Sequence, residues 1–258
     1  MLHSPIFIAQ DNMELSASVD LVSKLKGHHA AGFKVNDFWD NYGRAGLEKL
    51  REAGAYELWV DVKVKDTPNT VANRIASISQ AGVSYITVMA DGEVDMMMGA
   101  VKARTDFLKK EAISLDIDGD GIPAIGPGII AVTVLTSLTE EQTHLTYGQP
   151  VKAAALYLAR LAKLSGIDII VCSPQEVSLL SKRPELSGMS FFTPGIRPTW
   201  KKPTDQKRID TPRAAILAGV TSIVVGRAIT EAQDPVAAFD VIYKEVGLAL
   251  RERQRGRS

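Results

Sequence analysis

Residues 57–66 read ELWVDVKVKD, a short apolar run that ends in alternating charges. A parallel strand that is buried on both faces has this apolar character. Asp61 and Lys63 are two residues apart, so in a strand their side chains point to the same side, while the valines around them point to the other. The segment therefore predicts a buried strand that carries a carboxylate and an ammonium on one face.

Similar short runs recur along the chain and alternate with amphipathic stretches. The candidate strands cover residues 6–10, 32–35, 57–62, 85–89, 129–134, 167–171, 190–192 and 222–225. The candidate helices lie near residues 14–25, 43–53, 69–81, 93–111, 149–164, 175–182, 212–218 and 234–250. Eight strand–helix units predict an α/β protein with a (β/α)8 TIM barrel. A doubly wound open sheet is the alternative, and the absence of a Gly-x-Gly-x-x-Gly loop after the first strand disfavours it.

Composition limits the partners that the chain can have. The sequence has 258 residues, with 30 basic and 30 acidic side chains, so no overall charge attracts nucleic acid or an anionic membrane. We expect neither a secretory signal nor a membrane span, because no basic region followed by a long apolar core opens the sequence and no apolar run has membrane-spanning length. The single cysteine, Cys172, lies in an apolar run and excludes an internal disulfide. We expect one cytoplasmic domain over residues 1–258, with 251–258 as a flexible basic tail.

Four charged residues are predicted to meet at the catalytic face, where the strands of such barrels end. Lys34 ends the second strand, which is expected to lie about 4.8 Å from the third strand. Asp61 and Lys63 end the third strand, and Asp66 follows in the loop. Two lysines and two aspartates can alternate there. A structural cluster of salt bridges at the rim is the alternative, but four charges at this face favour a catalytic site.

The loops after the seventh and eighth strands predict a phosphate site. They contain Gly195, Arg197, Gly226 and Arg227. Glycine lets backbone N–H groups approach an anion, arginine offers a forked donor, and a short helix from Ile229 would add its N-terminus. Turn glycines with solvated arginines are the alternative.

The segment 116–121, DIDGDG, resembles the start of a calcium-binding loop. Its twelfth position is Pro127 instead of glutamate, and no helix pair is predicted around it. We therefore expect a polar surface loop and no metal site.

These residues resemble the orotidine 5′-phosphate decarboxylase family, and the match covers most of the chain in order. It includes 9–11 (AQD), 33–35 (FKV), 61–70 (DVKVKDTPNT), 134–137 (VLTS), 193–198 (TPGIRP), 205–208 (DQKR) and 225–227 (VGR). The Asp-x-Lys-x-x-Asp motif is shared with related barrels, such as hexulose-phosphate synthases and sugar-acid phosphate decarboxylases. The Pro-Asn-Thr and Thr-Pro-Gly-Ile-Arg-Pro segments are more specific.

The resemblance implies decarboxylation of orotidine 5′-monophosphate to uridine 5′-monophosphate, the last step of pyrimidine synthesis, without a cofactor or a metal. Lys63 would protonate C6 of the pyrimidine. Asp61 would face the substrate carboxylate and hold Lys63, and Lys34 would bridge this network and the ribose.

The resemblance also implies a homodimer with shared active sites. Asp66 and Thr70 would reach the ribose in the neighbouring subunit's site. The remaining ligand contacts would come from Asp11 at a ribose hydroxyl, Thr136 and Ser137 after the fifth strand, and Arg197, Gln206, Gly226 and Arg227 at the phosphate. The loop 199–211 is a candidate lid, or else an ordinary mobile surface loop.

The sequence departs from the family pattern at Thr67, where an isoleucine usually lines the pyrimidine pocket, at Lys65, and in the strand-4 segment 88–92. Two other functions stay open: a metal-dependent sugar-phosphate lyase, aldolase or decarboxylase of the same barrel group, and a non-catalytic nucleotide-binding barrel.

Overall fold

The computed structural model describes residues 4–28, 31–115, 126–200 and 210–256. It confirms the predicted (β/α)8 TIM barrel as a single domain, because eight parallel strands pair in chain order and the last strand closes on the first. The strands are β1 Ile6–Ala9, β2 Ala31–Val35, β3 Leu58–Val64, β4 Tyr85–Met89, β5 Gly128–Val132, β6 Ile169–Val171, β7 Ser190–Thr193 and β8 Ser222–Val225.

Helices surround the strands. They are α1 Leu15–Lys24, α2 Asp37–Ala53, α3 Pro68–Ser79, α4 Glu93–Leu115, α5 Glu140–Tyr147, α6 Val151–Leu164, α7 Pro174–Leu180, α8 Pro212–Ala218, α9 Arg227–Thr230 and α10 Pro235–Arg255. Short 3-10 turns occupy Ala90–Gly92 and Pro184–Leu186. Helix α2 begins before the predicted residue 43 because its first turns are joined to the rest across a kink at Gly43, whose φ is 54°. Helix α5 was not predicted.

The inner faces of the strands fill the barrel with aromatic side chains. Phe7, Trp59, Tyr85 and Phe192 pack against one another with ring centroids 5.4–5.7 Å apart, mostly edge to face. The indole N–H of Trp59 donates to Thr87 Oγ1 at 2.6 Å, so its polar atom is satisfied inside the core. This packed interior supports the open end of the barrel two residues further along β3.

Strand β3 loses its regular pairing where its charges begin. Its register with β4 shifts between Val60 and Val64, and Lys63 has a φ of 47°. The two valines are buried in the layer between the strands and helices, as predicted, and Val62 packs partly against that layer. A non-glycine residue with positive φ is uncommon, and such conformations persist where surrounding structure holds them.

The expectation of a flexible tail from residue 251 is wrong as far as Arg255, because α10 continues to that residue. The Arg253 guanidinium explains the extension: its Nη1 donates to the carbonyl oxygens of Ile216 and Val220, at 3.0 and 2.8 Å. Cys172 is buried, as predicted. No helix within the described ranges combines the length and the apolar character that a membrane span requires.

Candidate active site

A cavity of about 760 Å³ lies at the carboxyl ends of the strands. Its apolar part comes from inner-face residues of the barrel, namely Trp59, Val132, Val171 and Val224. Its polar part comes from the strand ends and the following loops, which supply nine of the predicted site residues: Asp11, Lys34, Asp61, Lys63, Thr136, Ser137, Arg197, Gly226 and Arg227. One cavity therefore joins the predicted charged cluster to the predicted phosphate loops.

Four charges alternate along one side of this cavity. Lys34 Nζ lies 2.7 Å from Asp11 Oδ1 and 3.0 Å from Asp61 Oδ2. The same Asp61 Oδ2 lies 2.9 Å from Lys63 Nζ. These contacts form a continuous network in the order Asp11, Lys34, Asp61 and Lys63. Asp11 takes the place in the array for which the sequence had suggested Asp66.

The centre of this network is buried. The Lys34 and Asp61 side chains are each only 8% exposed. Burial alone would favour their neutral forms, but the neighbouring charges outweigh it. Despite burial, Lys34 and Lys63 lower the pKa of Asp61 below its usual range. Despite burial, Asp61 and Asp11 raise the pKa of Lys34. Both groups are therefore held in their charged forms at neutral pH.

The two ends of the pair formed by Asp61 and Lys63 differ in their exposure to the cavity. The Lys63 side chain is 34% exposed, and it lines the cavity. The second carboxylate oxygen of Asp61, Oδ1, is buried and has no hydrogen-bond partner among the described residues. Burying an unpaired charged oxygen costs free energy. The site therefore combines a partly exposed ammonium that can donate a proton with a buried carboxylate that holds it in place.

The opposite part of the cavity has the cationic groups of an anion site. The buried Arg197 donates from Nη1 to the carbonyl oxygen of Ile196 at 3.0 Å. The backbone around it is fixed, because Arg197 N–H donates to Asp210 and Asp210 N–H donates to Gly195, at 2.9 and 3.1 Å. The short helix after β8 begins at Arg227 rather than at the predicted Ile229, directly after Gly226.

Asp66, Thr67 and Thr70 lie outside this cavity within one chain. All three are exposed, and their described side-chain hydrogen bonds are local. Asp66 Oδ1 accepts from Thr67 N–H at 2.6 Å, and the Thr67 and Thr70 hydroxyls are 3.0 Å apart. Neither Asp66 nor Thr67 therefore joins the site of its own chain. Gln206 and most of the candidate lid, residues 201–209, lie outside the described residues.

Sequence reasoning missed Asn36 and Asn12, which also line the cavity. The Asn36 amide donates to the backbone carbonyl of Asp61 at 2.7 Å. Asn36 lies two residues after Lys34, and Asn12 directly follows Asp11. Their positions at strand ends could have indicated them, but the prediction considered mainly charged residues there.

Metal-ligating side chains do not cluster in the parts of the chain that the structure describes. No group of three or more His, Cys, Asp or Glu residues has a suitable arrangement there. The calcium-like segment, residues 116–121, lies outside the described ranges.

Comparison with known proteins then identifies the family. Residues 4–242 match the family model described as Orotidine 5′-phosphate decarboxylase / HUMPS family. The chain belongs to this family. Orotidine 5′-phosphate decarboxylase of Paramagnetospirillum magneticum is 37% identical over 249 residues, covering 95% of this chain and 99% of the relative. Another relative of the same name, from Novosphingobium aromaticivorans, is 37% identical over 243 residues, covering 93% and 98%.

A solved structure gives the same relationship within the Orotidine 5′-phosphate decarboxylase / HUMPS family. The crystal structure of orotidine 5′-phosphate decarboxylase from Lactobacillus acidophilus superposes with a TM-score of 0.74 at 31% identity, covering 94% of this chain and 99% of that one. The likeness extends over nearly the whole barrel, including the strand ends that carry the charged network.

Proposed function

We propose that this chain is a carboxy-lyase that converts orotidine 5′-monophosphate to uridine 5′-monophosphate. The observation that carries the proposal is the alternating network of Asp11, Lys34, Asp61 and Lys63 in a cavity that also contains Arg197 and Arg227. Relatives that match nearly the full chain have the corresponding name.

The network suits a decarboxylation that proceeds without an electron sink. Breaking the bond between C6 and the carboxylate releases carbon dioxide and leaves an electron pair on C6. The Lys63 ammonium stabilises this developing charge and then transfers a proton to C6, after which the neutral amine regains a proton from solvent. Asp61 holds Lys63 in place through the 2.9 Å contact.

Asp61 has a second role in this proposal. Asp61 lines the cavity, and in this proposal a carboxylate oxygen of Asp61 lies close to the substrate carboxylate, so two negative charges oppose each other until carbon dioxide leaves. The lowered pKa of Asp61 keeps that oxygen charged at neutral pH. The repulsion disappears as the transition state is reached. The transition state is therefore stabilised relative to the bound substrate, and the barrier is lower.

The cavity also fits a nucleoside monophosphate in size and polarity. Its volume of about 760 Å³ lies within the usual range for a small-molecule site. The base occupies the side with Trp59 and the ionic network, and the ribose lies near Asp11, Lys34, Thr136 and Ser137. Arg197, Arg227 and Gly226, together with Gln206, bind the phosphate.

The proposed active form is a homodimer in the cytoplasm. The exposed positions of Asp66, Thr67 and Thr70 support shared sites, because their described side-chain hydrogen bonds are local and they do not line the cavity of their own chain. Asp66 and Thr70 of one subunit bind the ribose in the other subunit's site, and Thr67 borders the pyrimidine there. A single buried cysteine fits a reducing compartment.

A substrate comparison tests this function against the other activities of the barrel group. Purified protein is incubated with orotidylate and, separately, with ketose phosphates, each with EDTA or with magnesium. The proposal predicts uridylate formation from orotidylate at the same rate with EDTA. Magnesium-dependent turnover of a ketose phosphate would instead indicate the lyase function. Tight uridylate binding without any turnover would indicate a binding protein.

A further inference from the structure

We propose that Asn36 and Asp37, the two residues at the junction of β2 and α2, are positioning residues that set the geometry of the ionic network. Asn36 bonds the end of β3 and Asp37 bonds the turn after β1. Together we call them the β2–α2 clamp. The consequence for the reaction rests on the proposed decarboxylation, whereas the geometric part does not.

The Asn36 side chain acts on β3 instead of on its own helix. It occupies the N-cap position of α2, where asparagine usually accepts a hydrogen bond from the first helical turn. Here it makes no such bond. Its Nδ2 donates to the carbonyl oxygen of Asp61 at 2.7 Å, close to where β3 loses its register with β4. The bond fixes the backbone of Asp61. It therefore sets the position of the Asp61 carboxylate and of the chain that leads to Lys63.

The Asp37 side chain acts on the turn after β1. Both of its carboxylate oxygens accept from the backbone N–H of Asn12, at 2.9 and 3.1 Å. Asn12 has a φ of 57°, a conformation that asparagine tolerates better than most residues. The carboxylate of Asp37 thus holds the backbone of this turn. Asp11, the neighbour of Asn12, is 56% exposed, and nothing in its own burial holds its carboxylate against Lys34.

The two bonds act on opposite sides of the same lysine. Lys34 lies on β2 between Asp11 and Asp61, and it contacts both of them. The β2–α2 clamp begins two residues later and holds the backbone of each flanking strand end. Loss of either bond would let one carboxylate move away from Lys34. A displacement of about 1 Å in a catalytic group can cost on the order of a hundredfold in rate.

Kinetics of four variants test the proposal. Asn36→Ala removes the bond to β3, and Asp37→Ala removes the bond to the β1 turn. Asp37→Asn keeps an acceptor oxygen for Asn12. Asp40→Ala is the matched control, because Asp40 is another acidic residue of the first turn of α2, exposed and 3.9 Å from Arg74. The assay measures kcat and KM for orotidylate and the melting temperature of each protein.

The expected pattern separates positioning from general stability. Asn36→Ala and Asp37→Ala lower kcat by about tenfold to a hundredfold, while KM changes little because the phosphate contacts are untouched. Asp37→Asn and Asp40→Ala keep kcat within about threefold of the unmodified protein, since the acceptor or the clamp is intact. An equal loss in Asp40→Ala and Asp37→Ala, or unchanged kcat in both alanine variants of the clamp, would overturn the proposal.

Crystal structures of the same variants test the geometry without activity. In Asp37→Ala, Asp11 is expected to leave hydrogen-bonding distance of Lys34 Nζ, whereas Asp37→Asn retains the 2.7 Å contact. If Asp37→Ala does not fold, Asn36→Ala provides the corresponding test at the Lys63–Asp61 contact. Unmodified protein without turnover would refute the proposed function alone. An unchanged network in both alanine variants would refute the clamp alone.

Discussion

The two halves of the segment 61–70 differ in the partners that their charged and polar side chains have within one chain. Asp61 and Lys63 belong to a network whose centre is buried and whose members neutralise one another. Asp66, Thr67 and Thr70, a few residues later, are exposed, and their described side-chain hydrogen bonds are to one another. The first half has its partners in the turn after β1 and on β2, whereas the second half does not line the cavity of its own chain. The proposal that one motif serves the sites of two subunits rests on this contrast.

The largest expected effect comes from the buried half. Lys63→Ala removes the proposed proton donor, and decarboxylation should fall by at least about a thousandfold, within the range for loss of an acid–base group. Uridylate binding should persist, because the phosphate-binding residues remain. Steady-state turnover and calorimetric titration with uridylate measure the two quantities.

Lys102→Ala is the matched control for that experiment, because Lys102 is an exposed lysine of α4 that pairs only locally with Asp106. It should have full activity. A Lys63→Ala protein that keeps more than about a tenth of the activity would contradict a role in acid–base catalysis.

The second effect concerns Asp61 and pH. Because the pKa of Asp61 is lowered in the folded protein, its contribution to the free energy of unfolding is fully present above the ordinary aspartate value of about 3.9 and is lost as pH falls through the lower folded value. The pKa of Lys34 is raised, so its contribution is lost only as pH rises beyond about 10.4.

Asp61→Asn should remove a charge that raises the pKa of Lys34. It leaves Lys34 with Asp11 as its only close carboxylate among the described residues, so the Lys34 pKa falls and alkaline destabilisation begins at a lower pH. Removing one partner of a buried pair costs on the order of 3 kcal/mol. Urea unfolding from acid to alkaline pH measures both effects. Identical pH–stability curves for variant and unmodified protein would show that the network does not couple these groups.

The smallest of these effects belongs to the exposed half. Asp66→Asn keeps an oxygen that accepts from Thr67 N–H but loses the charge. If Asp66 bonds a ribose across the dimer, activity should fall by about tenfold to a hundredfold, as for a hydrogen bond to a charged group. Thermal stability should not change. Full activity in this variant would show that the charge of Asp66 has no role in the reaction.

Much of the fold was readable from the sequence because its strands are short, apolar and bounded by glycines and charges. The missed helix α5 lacks an apolar period, and its signal was the capping box of Thr139 and Gln142. Arg253 was placed in a tail because its bonds to the carbonyls of Ile216 and Val220 join residues far apart in sequence.

The chemistry of the site was also partly readable. Strand alternation predicted that Asp61 and Lys63 lie together, and their contact confirms this, although the irregular backbone at Lys63 was not predicted. The place of Asp11 in the network was not predictable from spacing, since it depends on the turn at Asn12. Nor was the use of Asn36, whose sequence position indicates a helix cap while its side chain bonds β3.

Mixing two impaired variants tests the central contrast most directly. Lys63→Ala and Asp66→Asn are purified with different tags, mixed, allowed to exchange subunits, and assayed for conversion of orotidylate to uridylate. Each hybrid dimer then has one site with both residues intact. At equal amounts about half of the dimers are hybrid, so activity should return to about a quarter of the unmodified level. A mixture that contains hybrids by double-tag capture, yet shows no more activity than the separate variants, would contradict a site shared between subunits.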